Sequence, residues 1–516
     1  MGFLEDVDTS NLPTIPEFYD GKTIFITGGS GVMGKVLIEK LLYSCTNLKR
    51  IYLLLRGKKG LTPEQRLEAL YSSPCFDRLR KERPGAYESK VSLIAGDIVE
   101  EGLGISEDDK AKIINETNII FHVAASVRFD DTMSYAVKMN LCGTREVIQL
   151  AKAVKNLDVL VHVSTSYLNT NREEIEEVVY PPVADWRDVI SICEKIDEQT
   201  QRVLTPKLLG ALPNTYVFTK QMAEHMVYEQ RGKLPIAIIR PSVVVASVLE
   251  PVPGWIESLN GPNGLGVGVG KGLIRILHSV PNTALDYVPV DFAIRHFLAV
   301  SWLRGTRKLS PTDDIPIYHC CSGKLVQVTL KQFVQMGLDM SKKCPLNNVL
   351  WSINCSVTSS KFMYQFWFLF LQLLPAVFVD SILRICGKKP MLVKIQRKIC
   401  AANIALEYFM TQHWNFINKN FIDVRSSIKT EDVDQFFYDL EDRDIFEYFE
   451  KCCYGGRKYL LREKDEDLPK AIVHNSRLYV LDLILKVLFV GFIAWNIVKS
   501  NFLVNTFNCL SRCIFD

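Results

Sequence analysis

The sequence predicts an α/β fold: a doubly wound parallel sheet, then a smaller, mainly helical domain and a C-terminal transmembrane helix. Three observations carry this expectation. Short β-branched runs alternate with helical patterns from Lys22 to about Val245, a glycine-rich turn joins the first strand to the first helix, and Leu478 to Val498 is an apolar run of 21 residues. At 516 residues the chain exceeds one usual core. Its charges nearly cancel at +3, which excludes an electrostatic case for a nucleic-acid partner. Fourteen cysteines, with no C-x-x-C pair and no His at ligand spacing, suit reduced thiols in a cytosol-facing protein and argue against a metal site. The adjacent pairs Cys320/Cys321 and Cys452/Cys453 read as packing residues.

The strands come first. KTIFITG, RIYLLLR, VSLIAGD, NIIFHVAA, VLVHVSTS and IAIIRPS are separated by amphipathic or loop stretches, the rhythm of βαβ units. After the first of them stands Thr27-Gly28-Gly29-Ser30-Gly31-Val32-Met33-Gly34, opening a helix that runs through Leu42. Gly28 allows a tight turn, Gly31 lets backbone N–H groups approach a pyrophosphate, and Gly34 permits close helix-on-sheet packing, so the sheet is Rossmann-like and binds a dinucleotide. A second glycine-rich run, Gly261 to Gly272, has no preceding strand and lacks the Ser or Thr of a P-loop after its Lys. It is expected to be loop, part of a Gly/Pro-rich stretch from Glu250 that crosses the mouth of a site.

The second strand delivers Arg56, followed by Gly57, Lys58 and Lys59, where an NAD enzyme places an acid for the ribose hydroxyls. Arg56 and Lys58 attract a 2′-phosphate, so NADPH is the expected cofactor. Asp97 and Ile98 are candidates for the adenine, and Ala124 and Ala125 offer small side chains where the cofactor passes closely. Pro241 and Ser242, after Arg240, are placed as a wall of the nicotinamide site.

Tyr216 and Lys220 are four apart on a predicted helix and share one face. A tyrosine with a pKa of about 10 works at neutral pH only when a neighbouring ammonium stabilises its phenolate, and Lys220 is that ammonium and also a holder of the nicotinamide ribose. The spacing alone is not specific, since Tyr454 and Lys458 repeat it. Tyr216 is preferred because it follows a strand ending in Ser164-Thr165-Ser166, at the edge where open α/β sheets bind ligands. Thr165 is the choice for a donor to the substrate carbonyl, with Ser164 and Ser166 behind it.

These residues resemble the extended short-chain dehydrogenase/reductases and, more closely, the fatty acyl-CoA reductases, whose phrases are TGATGFLG, HVSTAYCN, YxxxK and RPSIV. The chain reads TGGSGVMG at Thr27, HVSTSYLN at His162, YVFTK at Tyr216 and RPSVV at Arg240. The stretch from Phe436 to Glu463 resembles the C-terminal domain of that family, so the likeness covers nearly the whole chain. It implies reduction of a long-chain fatty acyl-CoA to a primary alcohol by two hydride transfers from NADPH, with release of CoA. The alternative is an extended short-chain dehydrogenase/reductase acting on a sterol or a sugar nucleotide.

The expected division is a reductase domain over residues 1–345, a second domain over 346–470 and the helix at 478–498. Asp482 and Lys486 lie inside that helix, four apart, able to pair or snorkel. Arg457, Lys458, Arg462, Lys464, Lys470 and Arg477 precede it and only Lys499 and Arg512 follow, which keeps the catalytic part cytosolic. An intracellular membrane is expected, peroxisomal or endoplasmic reticulum, with the lipid droplet also open to such an enzyme. Phe362 to Val379, with Gln365, Gln372 and Pro375, suits a second crossing or a helix lying in the membrane or against an acyl chain, and the sequence leaves these open. Membrane lipid is thus an expected partner. The N-terminus is acidic where a signal peptide is basic, Asp6 stands where a myristoylation signal needs Ser or Thr, and the ending at Cys513 has an Asp that a prenylation box does not accept.

Overall fold

The computed structural model describes residues 9–499 apart from 324 and 442. The readings of Asp6 and of the Cys513 ending lie outside the described residues. Each of the six runs becomes a strand: β1 Thr23–Thr27, β2 Arg50–Leu55, β3 Val91–Ala95, β4 Ile119–His122, β5 Val159–Val163 and β6 Ile236–Pro241. A seventh, β7 Ile317–Cys320, closes the edge. All pairings are parallel, in the order β7-β6-β5-β4-β1-β2-β3. The chain moves outward from β1 on both sides, so a crevice opens between the C-terminal ends of β1 and β4.

Four helices cover the two faces: α1 Val32–Ser44, α2 Gly143–Ala153, α3 Thr215–Tyr228 and α4 Val290–Gly305. Alternation along β1 divides the core, with Ile24 and Ile26 packing under α1 and α4, and Phe25 packing under α2 and α3. Covered on both faces, the inner strands are buried along their whole length, which is why they read as continuous apolar runs. The core beneath α1 and α4 also takes in Phe421, Val424, Phe436, Tyr438 and Tyr448, so the C-terminal residues complete it.

The Gly261 to Gly272 run is not a loop. Pro262–Gly270 is helical, with proline at its start. Glycine ordinarily weakens a helix, but a Cβ on Gly268 would lie 2.5 Å from Ile274 Cδ1 and one on Gly270 2.9 Å from Leu346 Cδ1, so close packing offsets the entropy. The preceding segment does not cross a free mouth either. It forms a packing seam in which Gly254 meets the helix Ile445–Gly455, and the Glu250 carboxylate holds Lys40 at 2.6 Å, Arg78 at 2.9 Å and Arg295 at 2.8 Å.

Among the described residues, the four longest helices after residue 346 are α5 Lys361–Ile385, α6 Leu392–Thr411, α7 Ile445–Gly455 and α8 Leu468–Lys499. Helices α5 and α8 are each long and apolar enough to cross a membrane, and little of either is buried. Asp482 and Lys486 pair at 2.6 Å. Asp482 also receives the Trp351 indole N–H at 2.8 Å, and His474 reaches Val349 O at 2.8 Å, so the first half of α8 is docked on the body. Tyr479, Val480 and Leu481, before Asp482, are exposed like the apolar residues after it.

Candidate active site

The glycine turn is built for close approach. Gly28 has φ +80°, and a Cβ on it would stand 2.6 Å from Ala124 N. A Cβ on Gly34 would stand 2.4 Å from Gly28 O, so α1 can seat only on a bare backbone. Gly31 caps α1 without a side-chain hydrogen bond, so no cap side chain takes the first N–H groups, at Val32 and Met33. These features fit a dinucleotide pyrophosphate. Thr27 turns inward: its hydroxyl lies 2.8 Å from His122 Nδ1 and accepts the Ala124 N–H at 3.3 Å, holding β1 to β4 beside the turn.

A basic cluster stands at the end of β2. Arg56 donates to Asp97 Oδ2 at 2.8 Å, so those two expected site residues form one unit. The sequence reading missed Arg66, which donates to Arg56 O at 2.6 Å and to the Ser30 hydroxyl at 3.1 Å. Burial and then the charges of Arg56 and Arg66 hold the Lys58 amine below its ordinary range. Ile98 is buried against Gly143, where a Cβ would meet it at 2.6 Å. Ala124 and Ala125 are half-buried beside the turn, and the next residue, Ser126, gives its N–H to Asn140 Oδ1 at 2.8 Å.

Asn214 starts α3 by accepting the Val217 N–H, which fixes Tyr216 and Lys220 one turn apart. Lys220 Nζ donates to Val163 O at 2.7 Å, at the end of β5, and burial holds its amine down at about 8. Its charge bears on the buried His122 and His162 rings, which burial and that charge keep far below the usual histidine range and hence neutral. Tyr216 is partly exposed, and burial pushes its phenol up to about 12 despite a hydrogen bond with Thr165. Thr165 also accepts the Tyr167 N–H at 3.3 Å, so it caps the strand end and reaches Tyr216. The other pair, Tyr454 and Lys458, lies apart: Tyr454 is 40% exposed and Lys458 pairs with Asp465.

The two remaining hydroxyls are committed elsewhere. Ser164 Oγ donates to Glu224 at 2.7 Å and Ser166 Oγ to Arg240 O at 2.7 Å. Glu224 and Arg240 form a buried ion pair at 2.5 Å, and Arg240 also binds Val178 O and His319, so it braces the strand ends. Pro241 closes β6, and the Ser242 hydroxyl is buried without a hydrogen-bond partner among the described residues. Phe129 lies 5.9 Å from Tyr216 and 5.1 Å from Phe409 of α6, and Tyr167 packs edge-on to Phe409. This aromatic wall beside Tyr216 carried no signal in the sequence, because its members are distant along the chain.

Residues 26–297 match the NAD-binding domain family described as male sterility protein, and residues 371–463 match the Sterile domain family of the same description. Over 465 residues the chain is 39% identical to fatty acyl-CoA reductase 1 of Mus musculus, covering 90% of each. It is 36% identical over 467 residues to fatty acyl-CoA reductase 2 of Homo sapiens, again covering 90% of each. The reductase domain of a nonribosomal peptide synthetase from Mycobacterium tuberculosis shares the fold, with TM-score 0.55 at 17% identity over 88% of this chain and 95% of that one. The chain is an enzyme with a nicotinamide-cofactor domain and belongs to the fatty acyl-CoA reductase family.

Proposed function

We propose that the protein reduces a long-chain fatty acyl-CoA to a primary fatty alcohol with NADPH and releases CoA. The observation that carries this reading is the meeting of Tyr216, Lys220 and Thr165 at the strand edge that also bears the glycine turn. The Arg56, Lys58 and Arg66 cluster beside Ser30 favours a 2′-phosphate over a bare ribose. Bound there, the reduced nicotinamide supplies one hydride per step.

Tyr216 donates the proton that each step needs, and Thr165 hydrogen-bonds the oxyanion that develops on the substrate carbonyl. Lys220, protonated below about 8, stabilises the phenolate left on Tyr216 and holds the ribose. In the first step the thioester carbon gains a hydride and its oxygen a proton, giving a hemithioacetal that expels the CoA thiol and leaves an aldehyde. In the second, the aldehyde gains a hydride and a proton and becomes the alcohol. Two reduced cofactors are consumed per thioester.

The substrate and product partition into lipid, and α5 and α8 supply apolar surface for a membrane. The excess of Lys and Arg before α8 favours a catalytic part on the cytosolic face of a peroxisomal or endoplasmic reticulum membrane. Purified full-length protein incubated with palmitoyl-CoA and NADPH is expected to yield alcohol and free thiol at two NADPH per thioester. Aldehyde as the sole product, or no thiol, overturns this reading.

A further inference from the structure

We infer that α5 does not cross the membrane but lies with α6 as a hairpin on an anionic cytosolic leaflet, leaving α8 as the one anchor among the described helices. The inference rests on the membrane reading above and fixes how this chain meets the lipid.

By length α5 could span, since its 25 residues reach about 37 Å. What forbids it is α6. Three ties run antiparallel between the two helices: the Lys361 ammonium to Glu407 at 2.9 Å, Asn403 Nδ2 to the Tyr364 hydroxyl at 3.0 Å, and the Asp380 carboxylate to the Met391, Leu392 and Val393 N–H groups at 2.9 to 3.0 Å. Helix α6 therefore retraces α5 back to the body, where Phe409 joins the wall beside Tyr216. If α5 crossed, α6 would have to cross beside it, carrying Lys394, Arg397 and Lys398 into the hydrocarbon.

The surface of the hairpin fits a leaflet instead. Phe362, Phe366, Phe370, Leu374, Phe378 and Ile382 are exposed along the length of α5. At its far end Arg384, Lys388, Lys389, Lys394, Arg397 and Lys398 are exposed, and no acidic residue occurs from 381 to 406. Apolar surface and basic rim together match acyl chains beneath anionic headgroups. Arg275 gives its backbone N–H to Gln372 of α5 at 3.3 Å and its guanidinium to Asp482 of α8 at 3.6 Å, so hairpin and anchor leave the body beside one residue and meet one membrane.

The test uses the full chain in sealed microsomes, cytosolic face outward, with a glycosylation acceptor on an extended tail after Asp516. Lys389→Cys in a Cys386→Ser background is probed with a membrane-impermeant maleimide. The expected result is a glycosylated tail together with labelling of position 389 without detergent. Labelling at 389 only after detergent, with the tail glycosylated, overturns the hairpin and leaves the membrane reading standing. An unglycosylated tail with protein released by carbonate removes both. In vesicles of brominated phosphatidylcholine and phosphatidylserine, fluorescence quenching is expected to fall in Trp367→Phe. Equal quenching in both proteins overturns the lipid contact.

Discussion

The Arg66 guanidinium donates to the Ser30 hydroxyl at 3.1 Å, across the mouth of the glycine turn. Arg66 lies on the helix after β2, ten positions beyond Arg56, and the fold brings it over the turn that approaches the cofactor. Arg66→Ala is expected to weaken NADPH binding by roughly tenfold to a hundredfold, the worth of about 1.5–3 kcal/mol for a hydrogen bond to a charged group. NADH, with no 2′-phosphate, should lose little. Calorimetric titration with both cofactors checks this, and equal losses would remove the phosphate role.

Tyr216→Phe should lower kcat by about 10² to 10⁴, the usual worth of a positioned proton donor, while NADPH binds as before. Single-turnover kinetics with a cofactor titration separate the two effects. Loss of binding instead would make Tyr216 structural.

With Lys220 in the proposed role, the reaction is expected to have an upper pH limit. Its amine sits at about 8 and Tyr216 at about 12, so the phenol keeps its proton across the working range while the ammonium is lost as pH rises through 8. The kcat/KM for NADPH, which reports the free enzyme, should be level below that point and fall by roughly tenfold per unit above it. A profile that stays level well beyond 8 would detach Lys220 from the chemistry.

Gly28→Ala places a Cβ 2.6 Å from Ala124 N at a φ of +80°. The positive φ alone costs about 1–2 kcal/mol, and the contact forces β1 and β4 apart. A lower melting temperature together with lost NADPH affinity is expected; a variant with unchanged values for both would show that the turn relaxes freely.

Glu224→Gln leaves the Arg240 charge buried beside a neutral amide. Breaking such a pair costs about 3–5 kcal/mol, which urea unfolding would register. Because Glu224 also takes the Ser164 hydroxyl, the strand end that presents Thr165 should loosen, and kcat should fall even where the protein remains folded.

The sheet was legible because its strands are buried on both faces and therefore read as unbroken apolar runs, and the turn because glycine is demanded wherever backbones nearly touch. Tyr216 needed more than its spacing, which Tyr454 and Lys458 share; its place after the β5 strand end separates the two. Pro262–Gly270 was misread because glycine disfavours helix locally, whereas the side chains of Ile274 and Leu346 reward it through space.

By itself the sequence determined the order of strands and helices, the glycine turn, the Tyr216 and Lys220 pair and the apolar helices, all of them patterns of neighbouring residues. Tertiary structure alone decided that Arg66 meets Ser30, that Ser164 serves Glu224 while Thr165 reaches Tyr216, and that α6 folds back along α5. Those relations join positions far apart in the chain, and their energy comes from burial and pairing that exist only once the sheet has closed.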